Sequence, residues 1–180
     1  MRWVFAAAAL VGLAACAPQP TVLTQTEVFR DPSAQIASQT NVGADRMVGR
    51  WTVRQSVTPS DRLYGFDITM LEGGSLQRRL PIEVSDGTGA KIADHVMVTY
   101  AATGPGRWTP LEMPRGVPDD ELWVMWMDIN SRTAAIGTPS GTFGFIIDKN
   151  ATGGGDRIAA ARDIMDWFGY DVDRLEVVTY

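Results

Sequence analysis

The stretch Glu121 to Lys149 leaves this chain few ways to fold. It reads Glu121-Leu-Trp-Val-Met-Trp-Met-Asp128, a four-residue turn, Thr133-Ala-Ala-Ile-Gly-Thr138, a Pro139-Ser-Gly141 turn, and Phe143-Gly-Phe-Ile-Ile-Asp-Lys149. Parallel strands need a crossover of about a dozen residues or more, so three short apolar runs this close together can pair only as hairpins. The stretch is predicted to be an antiparallel meander. Alternation along its first strand puts Trp123, Met125 and Met127 on one face and Leu122, Val124 and Trp126 on the other. Both faces are apolar, so one needs a core or cavity and the other a cover.

The cover follows in sequence. Asp156 as N-cap and Gly169 just past the end predict a helix from Arg157 to Phe168. Ile158, Ala161, Ile164, Met165 and Phe168 recur on it at helical spacing, and that stripe must lie against the outside of the sheet. Leu175 to Thr179 then returns as a short final strand.

At the other end, residues 1–15 combine Arg2, an apolar run from Trp3 to Leu13 and two alanines, which reads as a secretory signal too short to remain as a membrane span. The ending Leu13-Ala-Ala-Cys16 resembles the bacterial lipobox. That resemblance implies cleavage before Cys16, diacylglycerol on its thiol, an acylated new amino group and stable anchoring by several acyl chains. By the usual bacterial sorting pattern, Ala17 implies the outer membrane. Losing Arg2 with the signal takes the formal charge from −5 to −6. An acidic chain suits neither nucleic acid nor an anionic bilayer, so any membrane attachment falls to the lipid. Cys16 is the sole cysteine, which leaves the rest of the chain without thiol chemistry or disulfides. Residues 16–45, poor in aromatics and rich in Gln, Thr, Ser, Ala and Pro, read as the lipidated cysteine and its tether, with Val22 to Phe29 as a stretch that could pack on the domain.

Residues 46–180 form one domain. Val48 to Val57 alternates as a strand with Trp51, Val53 and Gln55 on one face. Tyr64 to Leu71, Gln77 to Val84, Lys91 to Ala101 and Gly106 to Leu111 follow, Pro81 placing the third at an edge or bulge. With the meander this makes eight antiparallel strands in sequence order and a terminal helix, the pattern of an all-β up-and-down barrel closed on itself.

From Gly49 to Thr179 the sequence resembles the lipocalins, in particular the bacterial outer-membrane lipoprotein lipocalins. Gly49-Arg50-Trp51 matches the family's Gly-x-Trp on the first strand. Its second motif, Thr-Asp-Tyr, is matched only at Asp128, and its third, an arginine over the motif tryptophan, falls on Lys149. The tail Phe168-Gly-Tyr-Asp-Val-Asp-Arg-Leu175 looks like the family's Gly-Phe/Tyr-Asp-Val-Ser-x-Leu ending, while Tyr64 to Leu111 matches in pattern alone. The resemblance implies a barrel floor built on Gly49, Trp51, Asp128 and Lys149.

A barrel of eight strands encloses room for about one small ligand. Met70, Met97, Trp108, Trp123, Met125 and Met127 are the expected wall, since thioethers beside broad aromatic surfaces suit an acyl chain. Any single one of them is more often core filling, and it is the number of methionines and tryptophans together that favours a wall. Arg54, Arg78 and Arg79 are candidates to read a head group. Enzymatic chemistry has little to stand on: His95 is the one histidine, no Cys/His cluster offers a metal site, and no serine sits in a nucleophile elbow. Asp119-Asp120-Glu121 reads as a solvated turn and Gly153-Gly154-Gly155 as a flexible connection. No catalytic residue, metal or cofactor is expected. Two functions fit: a membrane-tethered carrier of a small hydrophobic ligand, such as a fatty acid or lysophospholipid, or an interaction lipoprotein whose barrel is filled, as in small anchored β-barrel protease inhibitors. Oligomeric state is not legible.

Overall fold

The computed structural model describes residues 27–58, 64–85, 88, 91–112 and 121–179. The signal, Cys16, Val22, Asp119-Asp120 and most of the turn after Ser85 lie outside the described residues.

Eight strands close into the expected barrel: β1 (Gly49–Ser56), β2 (Gly65–Met70), β3 (Leu76–Ser85), β4 (Lys91–Gly104), β5 (Arg107–Pro110), β6 (Leu122–Met127), β7 (Thr133–Gly137) and β8 (Gly144–Asp148). Each pairs antiparallel with the next, and β1 completes the circle by pairing with both β2 and β8. A ninth strand, β9 (Glu176–Val177), bonds to the end of β1 at Gln55 and Ser56, beyond the residues that β2 covers. Pro81 has the edge position expected of a residue with no N–H. Only Leu76 to Arg79 of β3 pair with β2, so from Leu80 onward β3 is bonded to β4 alone.

Up-and-down order sorts the connections into two ends. The β1–β2, β3–β4, β5–β6 and β7–β8 connections share one end, the mouth. The other end, the floor, holds the short helix α1 (Ala44–Met47), whose Ala44 and Met47 are buried in the interior cluster. That cluster takes alternate residues from every strand, among them Trp51, Phe66, Leu76, Val98, Trp108, Val124, Ile136 and Phe145.

The helix α2 (Gly155–Trp167) covers the outside of β6, β7 and β8. Ile158, Ala161 and Met165 meet Ala135 and Ile146 in a second apolar layer, where burying one such side chain is worth about 1.5–3 kcal/mol. The helix begins two residues earlier than an Asp156 N-cap predicts. Gly154, in the left-handed region at φ 69°, is its N-cap, and Asp156 lies in the first turn, where its charge suits the helix dipole. Gly169 ends it as expected: at φ 84° it allows Tyr170 N–H to reach the Met165 carbonyl at 3.0 Å.

The ordered chain starts well before residue 46. Phe29 N–H donates to the Gly141 carbonyl and Asp31 N–H to that of Gly169, both at 2.8 Å. Farther along, Gln39 N–H donates to the Val124 carbonyl, and the Val42 carbonyl accepts from Gly106 N–H. Residues 27–43 thus run from the mouth to the floor along β6, where short β5 leaves backbone groups to be satisfied. The part of the expected tether from residue 27 onward is therefore docked chain.

Candidate functional site

At the floor, Gly49, Trp51 and Lys149 meet, and Asp128 lies in the β6–β7 turn at the same end. Trp51, 1% exposed, donates its indole N–H to the Met47 carbonyl, and the Lys149 ammonium stands 3.8 Å from the centre of its ring. The same Nζ donates to the Val48 carbonyl at 2.6 Å. Burial pushes the Lys149 ammonium down to about 8. Gly49 is required here, because its φ of 111° disfavours a side chain and a Cβ would meet Lys149 Nζ at 3.0 Å. Asp128 organises the β6–β7 turn. It accepts from the backbone N–H groups of Asn130, Arg132 and Thr133 and from the Arg132 guanidinium. Burial raises its carboxyl, but those donors prevail and hold it below the usual carboxylate value.

Of the six expected wall residues, the structure brings only Trp108 and Met127 into the interior cluster. Within β6, Met125 is an extra residue. Val124 pairs with Ile136 and Trp126 with Ala135, so a bulge reverses the alternation between them. Leu122 and Val124 face inward before the bulge and Met127 faces inward after it, while Met125 joins the outer layer under α2 with Trp126 beside it. Trp123 is also outside, with the Arg107 guanidinium 3.9 Å above its ring and its N–H donated to Glu121. Met97 lies on the outer face between inward Val96 and Val98, and Met70 at the end of β2 is 52% exposed.

The interior residue that composition could not single out among the candidate arginines is Arg78. It is buried on the inner face of β3, with Phe66 and Tyr100 rings each 5.3 Å from its guanidinium. Its neighbours in sequence, Gln77 and Arg79, point the other way. Arg54 is engaged at the floor, donating to the Asn150 and Gly153 carbonyls. Strand parity gives Arg78 the same face as Leu76 and Leu80, a signal present in the sequence. Around it the lining is aromatic and aliphatic: Phe145 packs edge-on to Phe66 at 6.1 Å and stacks with Phe143 at 5.6 Å.

His95 is exposed on the outer face of β4. Among the described residues no group of three His, Cys, Asp or Glu side chains is placed to hold a metal ion.

A closed antiparallel barrel of eight strands, floored by a tryptophan under a cation and backed by a helix, is a lipocalin-like fold. A solved structure of the major allergen Per a 4 from cockroaches is similar, with a TM-score of 0.54 and 14% identity, covering 82% of this chain and 95% of that one. At that identity the likeness speaks for the fold. No family model matches the sequence, and no curated protein matches it.

Proposed function

We propose that the protein is a binding or carrier protein that takes a small hydrophobic ligand into its barrel, anchored through an acylated Cys16 to a bacterial outer membrane. The observation that carries this reading is a closed barrel whose described interior cluster is apolar, with the guanidinium of Arg78 buried among its rings. Apolar walls favour an acyl chain, and a fixed positive charge favours an acidic over a basic head group, so a fatty acid or an anionic lysophospholipid is the fitting class. The protein is read as a non-enzyme, working without metal or cofactor.

A fluorescent acyl probe titrated into the protein should be taken up saturably and quench tryptophan emission. Folded protein that takes up no probe would overturn the carrier reading. Replacement of Cys16 by serine should move the protein from the membrane to the soluble fraction, and persistence at the membrane would contradict the anchor.

A second reading, an interaction lipoprotein with a filled barrel, is favoured by interior packing. Trp51, Phe66, Tyr100, Trp108, Met127 and Phe145 are all buried to 4% exposure or less. Failure of probe uptake would select it.

A further inference from the structure

A concavity independent of whatever the interior holds lies on the outer wall across β1 to β4. Its volume is about 480 Å³. Register places Arg50 opposite Asp67 and Asp67 opposite Arg79, so one acid sits in a cross-strand row between two guanidinium groups, all three facing out. His95 and Tyr64 also line the depression. Gly65 forms part of its floor because β1 and β2 approach too closely for anything larger. A Cβ there would lie 2.5 Å from the Trp51 carbonyl oxygen.

The charges in this row do not satisfy one another. Among the described residues the side chains of Arg50, Asp67, Arg79 and His95 enter no hydrogen bond or ion pair, although opposite charges stand on adjacent strands. Elsewhere on the described surface arginines are engaged: Arg46 with Ser131 and Asp128, Arg54 with two carbonyls, Arg162 with Gln55 and Val172. A simple anion would meet the two guanidinium groups and also the carboxylate between them. A simple cation would meet the reverse. A ligand carrying both charges a few ångströms apart satisfies the row, its anion on Arg50 and Arg79 and its ammonium on Asp67 beside the Tyr64 ring.

We propose that this groove binds a zwitterionic phosphoammonium group, the chemistry shared by soluble phosphoethanolamine and the head group of an ethanolamine phospholipid. His95 gives the test a clean reporter, because it is the chain's single histidine and its imidazole proton resonances are resolved from all others. Phosphoethanolamine titrated into the full chain should shift them saturably. Methyl phosphate and ethylammonium should each bind about tenfold more weakly or worse, the effect of losing one charge-assisted contact. Asp67→Asn should erase the preference over methyl phosphate, and Arg79→Ala should weaken both ligands. Far-UV circular dichroism establishes that each variant is folded. No saturable shift with folded wild-type protein overturns the site, and equal affinity for methyl phosphate overturns the pairing of charges. Given binding, vesicles of phosphatidylethanolamine and phosphatidylcholine distinguish the source. Co-sedimentation lost with Arg79→Ala assigns a bilayer head group, and binding of the soluble compound alone assigns a free metabolite.

Discussion

Lys149 shows what one residue change does to a shared floor design. An ammonium over Trp51 keeps the cation but lacks the planar guanidinium that an arginine would stack there. Its proton affinity is set by burial, which lowers it from 10.5 to about 8. Between about 8 and 10.5 the unfolded chain binds a proton that the folded one does not, so this group makes stability rise with pH across that window. Lys149→Arg stays charged throughout, and urea midpoints measured at several pH values should show the rise in the wild type and its loss in the variant. Asp128 gives a slope of the same sign in the acid range, but there the surroundings favour the charged form instead of penalising it. Its lowered carboxyl contributes stability above the ordinary value of 3.8 and loses that contribution as pH falls through the folded value. Asp128→Asn should cost about 1–3 kcal/mol at neutral pH by weakening the acceptor for three N–H groups, and the deficit should shrink in acid. Equal deficits at pH 7 and pH 3 would assign the cost to turn geometry instead.

Among the elements, α2 and β6 depend on features that simple periodicity represents unequally. The helix stripe was readable because Ile158, Ala161 and Met165 keep their spacing, and the barrel was readable because each strand carries its own apolar run. The bulge at Met125 was not, since no glycine or proline marks it and a run apolar on both faces looks alike in either register. Trp123 and Met125 fall on the outer face, and Met127 reaches the interior only because of that one step. Two other glycines held usable information. Gly137 and Gly144 pair across β7 and β8, and a Cβ on either would strike Tyr170, at 2.5 and 2.6 Å. The bare patch they leave seats the Tyr170 ring, whose hydroxyl accepts from Thr138 N–H and donates to the Phe143 carbonyl. Tyr170→Phe should therefore lower stability by about 1–3 kcal/mol in chemical denaturation, leaving a buried N–H without its acceptor. A neutral result would show that ring packing alone docks the segment after α2.

For the molecule as a whole, tryptophans report on separate regions. Trp51 and Trp108 are interior, whereas Trp167 on α2 is 81% exposed. Trp167→Phe should remove most iodide-quenchable emission and leave the response to an interior acyl probe unchanged. Loss of that response would place probe binding on the helix face and not in the barrel. Of the docked residues 27–43 the sequence pointed only to the stretch ending at Phe29, because much of the remaining attachment is backbone hydrogen bonding, which leaves no hydrophobic rhythm. Phe29 and Asp31 are bonded to Gly141 and Gly169 at the mouth, not at the floor. Load applied through the polypeptide preceding Glu27 is consequently delivered to the rim. A leash there would hang the cup upside down, opening toward its mooring, so that cargo could pass between bilayer and barrel without the body having to turn over.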